Sequence, residues 1–219
     1  MSSDPYLPER LRMVEMQIAA RGINNFRILQ AMRKIPRHLF VPEPYRKAAY
    51  EDRPLPIGEG QTISQPYIVA FMTELLDPQP EDHILEIGAG SGYQAAIIGL
   101  LSSRVTTVER LPNIAELARS NLKKAGIANV EVVVGDGTLG WPDHAPYHGI
   151  IVTAAAPDIP SPLIDQLADG GRMVAPLGGR GLQELVKIVK RGAYLERTYH
   201  GGVMFVPLIG RYGWREEML

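Results

Sequence analysis

Three glycines at alternate positions, Gly88, Gly90 and Gly92, place the tightest constraint on how this chain can fold. The preceding residues, 84–87, form a short and largely apolar run with β-branched members, which is typical of a buried parallel strand. A helical pattern begins almost directly afterwards, at Gln94. Because glycine lets the backbone turn sharply and approach a ligand closely, this order of strand, turn and helix indicates a phosphate- or nucleotide-binding α/β fold.

The spacing of the glycines and a downstream acid distinguish between nucleoside cofactors. Tyr93 stands where a dinucleotide motif G-x-G-x-x-G has its third glycine, and no lysine follows the loop as it does in ATP- and GTP-binding P-loops. Glu109 ends the next apolar strand, 21 positions after Gly88 (109 − 88), where a carboxylate can accept hydrogen bonds from ribose hydroxyls. The pattern favours S-adenosylmethionine over NAD. An ordinary strand-to-helix turn is the alternative, and Glu109 argues against it.

Composition excludes several classes of protein. The 219 residues are 45% hydrophobic and 21% charged, as in ordinary globular proteins, and the length suits one sizeable core with an N-terminal extension. A formal net charge of −1 gives no general attraction to nucleic acid or to anionic membranes. The absence of cysteine excludes disulfides, thiolate catalysis and zinc–cysteine sites. Without an apolar run near 18 residues or a leader-like start, we expect a cytoplasmic protein.

Strand and helix patterns alternate from Asp82 onward, which predicts a mostly parallel, doubly wound sheet with right-handed crossovers. The expected strands are 84–88, 104–109, 130–134, 149–153 and 172–176, and the first helices between them are 94–101 and 113–125. Two further strand-like segments flank Arg191-Gly192-Ala193, a hairpin signal that predicts an antiparallel strand near the C terminus. We expect residues 1–80 to form N-terminal helices and an active-site loop, packed as one unit on a core of residues 81–219.

The N-terminal part predicts helices near residues 8–22, 25–35 and 66–76, and an extended segment at 37–42. Met13 and Met16 are expected in the core. Residues 36–66 are rich in proline and glycine without a clear period, and long irregular segments in compact domains, such as residues 54–66, are often functional. This segment carries two hydroxyls, Thr62 and Ser64. Its simpler interpretation is a helix cap, formed by Ser64 or Gln65, which does not exclude contact with a ligand.

Hydroxyls are sufficient for one class of reaction that needs no general base. A carboxylate acceptor is already ionised near pH 7, since its reference pKa is about 4. A methyltransferase acting on such an acceptor can work by alignment, holding oxygen, methyl group and sulfur in line with water excluded. The Thr62 and Ser64 segment offers groups that could orient a carboxylate.

The carboxyl ends of the other expected strands supply further candidates, because open α/β sheets bind ligands there. Asp136, between two glycines, could accept a hydrogen bond from a nucleoside base, although Asp-Gly is also a common turn. Small residues from Thr153 onward leave room for a bound molecule or simply form a close turn. The five histidines show no metal-binding spacing, so we expect no metal site. Ser91 lacks the first glycine of a nucleophile motif G-x-S-x-G.

At this point the chain resembles the protein-L-isoaspartate O-methyltransferase family over nearly its whole length, from about Met13 to about Leu208. The glycine loop is shared with many methyltransferases, whereas the T-I-S-x-P loop and the F-V-P-L tail are more specific. The motifs that carry the resemblance are P-I-G at 56–58, Q-T-I-S-Q-P at 61–66, L-E-I-G-A-G-S-G-Y at 85–93, V-E-R at 108–110, G-D-G at 135–137, I-I-V-T-A-A at 150–155 and F-V-P-L at 205–208.

The resemblance implies a Rossmann-like methyltransferase with an antiparallel strand near the sheet's end. It implies methyl transfer from S-adenosylmethionine to the α-carboxyl of L-isoaspartyl residues in damaged proteins and peptides, which starts repair through a succinimide. Ser64 and Thr62 are then the catalytic loop residues, and Ser64 also contacts the substrate. The implied cofactor contacts are Ile63, Glu86, Gly88, Gly90, Gly92, Glu109, Asp136, Gly137 and Thr153, and the implied peptide contacts are Val203, Phe205, Val206 and Leu208.

One departure and three alternatives remain. The family often has an aspartate where this chain has His148, after Pro146-Tyr147, which leaves the conformation of the preceding loop open. The alternatives are a methyltransferase with another acceptor, an NAD-dependent oxidoreductase, which Tyr93 argues against, and an inactive cofactor-binding module. We expect a monomer that binds neither nucleic acid nor membranes.

Overall fold

The computed structural model describes residues 4–215, and the strands in this part of the chain form a hairpin and a seven-stranded sheet. The hairpin consists of β1 (Leu55–Gly58) and β2 (Gln61–Ile63). The sheet contains β3 (His83–Ile87), β4 (Arg104–Glu109), β5 (Val130–Val134), β6 (Tyr147–Val152), β7 (Leu167–Gly178), β8 (Gln183–Arg191) and β9 (Tyr194–Val203).

The order of strands across the sheet is β5-β4-β3-β6-β7-β8-β9. The first five are parallel, and β8 pairs antiparallel with both of its neighbours. The expected Rossmann-like fold with an antiparallel C-terminal region is therefore confirmed. The chain runs from β3 outward through β4 to β5, then returns to the other side of β3 as β6. Ligands of open α/β sheets bind at such a reversal, beyond the carboxyl ends of the strands.

Six α-helices are described in residues 4–215: α1 (Leu7–Met13), α2 (Phe26–Lys34), α3 (Pro66–Leu76), α4 (Tyr93–Gly99), α5 (Pro112–Lys124) and α6 (Ser161–Gln166). A π-helical turn, Val14–Ile18, extends α1, and Gly22 ends this region with a positive φ of 96°. The Asn25 side chain caps α2 by accepting from two backbone N–H groups. Each of these helices falls short of the length or apolar character that crossing a bilayer requires.

Three sequence expectations for the N-terminal region were wrong. Residues Arg37–Phe40 form a 3₁₀ turn rather than an extended segment. Met16 is 59% exposed, whereas Met13 is buried, so only one of the two methionines packs in the core. The segment at 54–66 is not irregular, because β1 and β2 fill most of it with an antiparallel hairpin. Its proline and glycine content concealed the short strands.

The N-terminal helices and the sheet helices share one apolar cluster. Met13 and Ile28 from the first helices lie in it together with Tyr93 of α4 and Leu122 of α5. A second cluster on the opposite side of the sheet contains Ile87, Val152 and Leu208. These clusters fix the carboxyl ends of β3 and β6 and the segment after β9 relative to one another.

Gly92 packs at the contact between α4 and α5. It has a φ of +86°, and a Cβ built there would lie 3.2 Å from Leu122 Cγ and 3.3 Å from the Ala118 carbonyl oxygen. Gly126 has a similar φ of +71°, but a Cβ there would meet nothing within 4 Å. The two glycines therefore share the backbone constraint and differ in crowding.

We expect Gly126→Ala to lower the free energy of unfolding by about 1 kcal/mol, because a side chain is strained at positive φ. Gly92→Ala should lower it further, by about 1–3 kcal/mol, because crowding against α5 is added. Urea unfolding of both variants measures the difference. Equal losses would show that crowding at Gly92 is relieved without cost.

Candidate active site

The glycine turn between β3 and α4 forms the floor of a cavity at the carboxyl edge of the sheet. Gly88 and Gly90 have φ values of +94° and +52°. A Cβ on Gly88 would lie 2.6 Å from Thr153 Oγ1, so only glycine fits there. The Thr153 hydroxyl donates to the carbonyl oxygens of Ile87, at 2.9 Å, and Gly88, at 2.6 Å. Thr153 thus fixes the turn from the neighbouring strand end.

Glu109 stabilises the same turn from the other side. Its carboxylate is buried at the end of β4 and lies on the cavity wall. Oε2 accepts the Gly90 N–H at 3.0 Å, and Oε1 accepts the Leu111 N–H at 3.1 Å. A carboxylate has about four acceptor positions, so each oxygen can still accept a hydrogen bond from a ligand hydroxyl.

The hairpin and the residue after it form the wall that faces the turn. Thr62, Ile63 and Ser64 all line the cavity, with Ile63 buried, Ser64 half-buried and Thr62 exposed. Gln65 occupies the N-cap position of α3, but no side chain caps that helix. The simpler interpretation of Ser64 or Gln65 as a helix cap is therefore not supported. Within residues 4–215 the Ser64 hydroxyl has no hydrogen-bond partner, which leaves it available to a ligand.

The segment after β9 closes the cavity beside β6. The Ala155 N–H donates to the Val206 carbonyl oxygen at 2.8 Å, and the Leu208 N–H donates to the Ala155 carbonyl oxygen at 2.8 Å. Val206, Pro207 and Leu208 consequently lie on the cavity wall with Ala154. Two walls that are far apart in sequence, the hairpin and this segment, thus face one space above the glycine turn.

Ten residues expected from the sequence lie on the cavity wall: Thr62, Ile63, Ser64, Gly88, Gly90, Glu109, Gly137, Thr153, Val206 and Leu208. Five others do not line it: Glu86, Gly92, Asp136, Val203 and Phe205. Val203 belongs to an apolar cluster formed by α3, α4 and the sheet, and Phe205 packs against that cluster. Val203 is the last residue of β9, pairs with Gln183 of β8 and is buried in this cluster.

Gly92 and Asp136 are engaged in local structure rather than in the cavity. Gly92 precedes α4 and packs on α5, as described above. The Asp136 carboxylate caps the 3₁₀ turn Gly137–Leu139 by accepting from the Thr138 N–H and Oγ1, at 2.9 Å and 2.7 Å. The expected turn at Asp136 is therefore present, and the contact of Asp136 with the cofactor stays a prediction.

Glu86 is fully buried in β3, beneath the glycine turn. Burial, with a contribution from the negative charge of Glu109, raises the pKa of Glu86 to about 8. The Thr107 hydroxyl donates to Oε2 at 2.5 Å, whereas Oε1 has no partner within the described part of the chain. Burial thus favours the neutral form of Glu86, and its contact with the cofactor stays a prediction.

The sequence analysis missed several residues on the wall, among them Met72, Gln94 and Leu111. Gln94 had a usable signal, because it is a polar residue directly after the glycine turn that the structure buries against Thr73 Oγ1, at 2.8 Å. Met72 had none, since an apolar residue on α3 is indistinguishable from core in sequence.

The histidine residues of the chain contribute nothing to the cavity. His148 lies at the start of β6, at the opposite edge of the sheet, where its Nδ1 accepts the His83 N–H at 3.1 Å. The departure from the family's aspartate thus changes an acceptor far from the site. In residues 4–215, no group of three or more His, Asp or Glu side chains could hold a metal ion.

The raised pKa of Glu86 predicts a specific pH dependence of stability. The pKa of Glu86 rises from 4.5 to about 8 on folding, so the folded state holds the proton more tightly than the unfolded state. The contribution of this proton to the free energy of unfolding is therefore complete below pH 4.5 and is lost as the pH rises toward 8. We expect Glu86→Gln to gain stability relative to the parent across this window, by up to about 1.4 kcal/mol per pH unit. Urea unfolding at several pH values tests this, with the exposed Glu116→Gln as control. A constant difference between Glu86→Gln and the parent would contradict it.

Family comparison places the chain among known enzymes. The family model described as "Protein-L-isoaspartate(D-aspartate) O-methyltransferase (PCMT)" matches residues 9–213. A protein-L-isoaspartate O-methyltransferase of Methanoculleus marisnigri is 62% identical over 218 residues, which cover 100% of this chain and 99% of that protein. The corresponding protein of Methanoregula boonei is 60% identical over 210 residues, or 96% and 97% of the two chains.

Solved structures agree with the sequence matches. A protein-L-isoaspartate O-methyltransferase superposes with a TM-score of 0.83 at 30% identity, over 94% of this chain and 67% of that one. A Plasmodium falciparum structure, described as a complex with S-adenosyl-L-homocysteine, shares the fold with a TM-score of 0.80 at 23% identity, over 91% and 98% of the chains. This chain therefore belongs to the protein-L-isoaspartate(D-aspartate) O-methyltransferase family.

Proposed function

We propose that this protein transfers a methyl group from S-adenosylmethionine to the α-carboxyl of L-isoaspartyl residues in damaged proteins and peptides. The observation that carries the proposal is that the hairpin and the segment after β9 form two walls of one cavity above the glycine turn. The T-I-S segment of the hairpin and the V-P-L segment after β9 face the same cavity, next to the Glu109 carboxylate. Family membership supports both the cofactor and the acceptor.

The acceptor chemistry requires orientation rather than a strong base. In an isoaspartyl residue the backbone runs through the side-chain carboxyl, so the α-carboxyl is free and ionised near pH 7. S-adenosylmethionine, when bound, supplies an electrophilic methyl group on a positively charged sulfur. A carboxylate oxygen forms the new bond to carbon as the carbon–sulfur bond breaks, and no proton is transferred. The methoxy group of the ester leaves far more readily than an oxygen of a free carboxylate. The amide nitrogen of the following residue can therefore attack the ester carbonyl, lose its proton and release methanol, which closes the succinimide ring without ATP.

The residues of the cavity divide this work. Ser64, half-buried and without a partner, donates a hydrogen bond to the acceptor carboxylate, and Thr62 supplies a second hydroxyl at the solvent side. Glu109 accepts from the ribose hydroxyls while retaining its backbone bonds. Gly88, Gly90 and Gly137 present bare backbone to the cofactor, and Ile63 and Thr153 bound it. Val206 and Leu208 contact the peptide.

The site residues that do not line the cavity act indirectly in this proposal. Glu86 and Gly92 stabilise the turn and the helix that follows it.

We further propose that residues 1–80 and 81–219 fold as one unit, and that the protein is a cytoplasmic monomer that binds neither nucleic acid nor membranes. The apolar cluster shared by the two regions supports the single unit, the near-neutral charge supports the absence of nucleic-acid and membrane binding, and the lack of cysteine fits the cytoplasm. Size-exclusion chromatography with light scattering tests the oligomeric state.

The decisive assay uses methyl-labelled S-adenosylmethionine and a pair of peptides that differ only in one isoaspartyl or aspartyl linkage. We expect a base-labile methyl ester on the isoaspartyl peptide alone, because only that linkage leaves a free α-carboxyl in the chain. Cofactor binding, measured by calorimetry, serves as the control. Binding without transfer to either peptide would retain the cofactor and reject the acceptor.

Ser64→Ala tests the role of the hydroxyl. We expect turnover of the isoaspartyl peptide to fall about ten- to hundredfold, since a hydrogen bond to a charged group contributes about 1.5–3 kcal/mol. Affinity for S-adenosylhomocysteine should stay unchanged. Ser161→Ala is a matched control, because Ser161 is exposed and its side chain caps no helix. Equal, large losses of turnover and cofactor affinity in Ser64→Ala would refute the assigned role.

A further inference from the structure

Gln94, in the first turn of α4, is a buried polar residue on the cavity wall. Its side-chain N–H donates to Thr73 Oγ1 of α3 at 2.8 Å, and the Thr73 hydroxyl donates to the Val69 carbonyl oxygen at 2.7 Å. Because the single proton of the hydroxyl is used on Val69, Thr73 can only accept from Gln94. These two hydrogen bonds therefore fix which end of the Gln94 amide faces α3.

The other end of the amide, the carbonyl oxygen Oε1, is left for a ligand. It has no hydrogen-bond partner within residues 4–215. Unlike Glu86 Oε1, it is not among the unpartnered side-chain atoms that the described part of the chain seals from solvent. Since Gln94 lines the cavity, this oxygen opens into it. An amide oxygen in such a position favours a ligand that donates a hydrogen bond.

The place of Gln94 in the fold indicates which part of the cofactor lies beside it. Glu109 ends β4, on one side of β3, and Gly137 of the cavity wall follows β5, farther out on the same side. The helix that holds Gln94, α3, packs on β6 and β7, on the other side of β3. With the ribose at Glu109 and the base toward β5, the amino-acid end of S-adenosylmethionine extends toward β6. The donor at that end is its α-ammonium group.

The surroundings of Gln94 suit a positively charged group. Arg110 is the only Lys or Arg among the described residues that line the cavity, and it follows Glu109 on the β4 side. Gly88 leaves bare backbone at the floor, where a Cβ would lie 2.6 Å from Thr153 Oγ1. A neutral amide oxygen can accept from an ammonium group without the desolvation cost of burying a further carboxylate.

We propose that Gln94 binds the α-ammonium group of S-adenosylmethionine through Oε1, and that Thr73 is a positioning residue that holds the amide in this orientation. The inference rests on the ribose contact proposed for Glu109, and it does not depend on the identity of the methyl acceptor. It assigns recognition of the cofactor's amino-acid end to a side chain outside the glycine turn.

The test compares three nucleosides that share adenine, ribose and a thioether sulfur and differ in the group attached to that sulfur. S-adenosylhomocysteine carries an ammonium and a carboxylate, 5′-deoxy-5′-(3-aminopropylthio)adenosine carries the ammonium alone, and 5′-methylthioadenosine carries neither. Gln94→Met removes the amide and keeps an unbranched side chain of similar size. Gln79→Met is the matched control, because the Gln79 side chain also donates to the chain, to the Asp77 carbonyl oxygen at 2.8 Å, and lies outside the cavity.

We expect Gln94→Met to raise the Kd of the two ammonium-bearing nucleosides about ten- to hundredfold and to leave the Kd of 5′-methylthioadenosine within about twofold of the parent, because hydrogen bonds to charged groups are the stronger class. Calorimetry measures all three. Thr73→Val should raise the same two Kd values by a smaller factor, since the amide is then free to rotate. The double variant should match Gln94→Met, because both changes act on one contact. Gln79→Met should change none of the values.

Equal losses for all three nucleosides would overturn the assignment, because they would indicate a general distortion of the site. A loss confined to S-adenosylhomocysteine would also overturn it, since the carboxylate would then be the partner. Thermal unfolding checks that each variant folds, and Thr73→Val provides the same comparison if Gln94→Met does not fold. No acceptor is present in these measurements, so the expected Kd pattern in an enzyme that methylates no isoaspartyl peptide would reject the proposed acceptor and support the role of Gln94.

Discussion

The glycine turn of the site is stabilised by two side chains from neighbouring strands in addition to its own backbone hydrogen bonds. Gly88 and Gly90 adopt positive φ. The Gly88 N–H donates to the Val108 carbonyl oxygen and the Gly92 N–H to the Ala89 carbonyl oxygen, both at 2.8 Å. The Thr153 hydroxyl binds two carbonyl oxygens of the turn, and the Glu109 carboxylate binds the Gly90 N–H. These partners come from the neighbouring strands on either side of β3. Sheet order therefore determines the shape of the cofactor loop.

Two glutamates at the ends of adjacent strands illustrate how position decides chemistry. Glu109 lies on the cavity wall and accepts two backbone N–H groups, which suits a carboxylate that receives ligand hydroxyls. Glu86 lies one layer below, fully buried, with one oxygen bound by Thr107 and a pKa raised to about 8. The difference follows from desolvation, which disfavours the charged form of a buried acid. A neutral acid beneath the turn avoids a second negative charge beside Glu109.

The substrate side of the cavity is assembled from distant parts of the chain. The hairpin brings Ser64 to one wall, and the bridge between Ala155 and Pro207 brings Val206 and Leu208 to the other. Neither wall belongs to the parallel part of the sheet: one is the β1–β2 hairpin with the residue after it, and the other is the segment after β9. Asp136 connects the second wall to the cofactor loop, which gives cofactor and peptide sites a common support.

The sequence by itself determined the parallel sheet, the glycine turn, the position of Glu109 at the end of the next strand and the family, because these depend on local patterns: apolar runs, glycine spacing and contiguous motifs. It also singled out Thr62 and Ser64, which the structure places on the cavity wall. It could not separate Glu86 from Glu109, recognise Met72 as a wall residue, or show that Asp136 faces the C-terminal turn. Those properties arise from burial and from contacts between residues far apart in the chain. Only the tertiary structure decides them, because desolvation and hydrogen-bond partners depend on what the fold brings alongside each side chain.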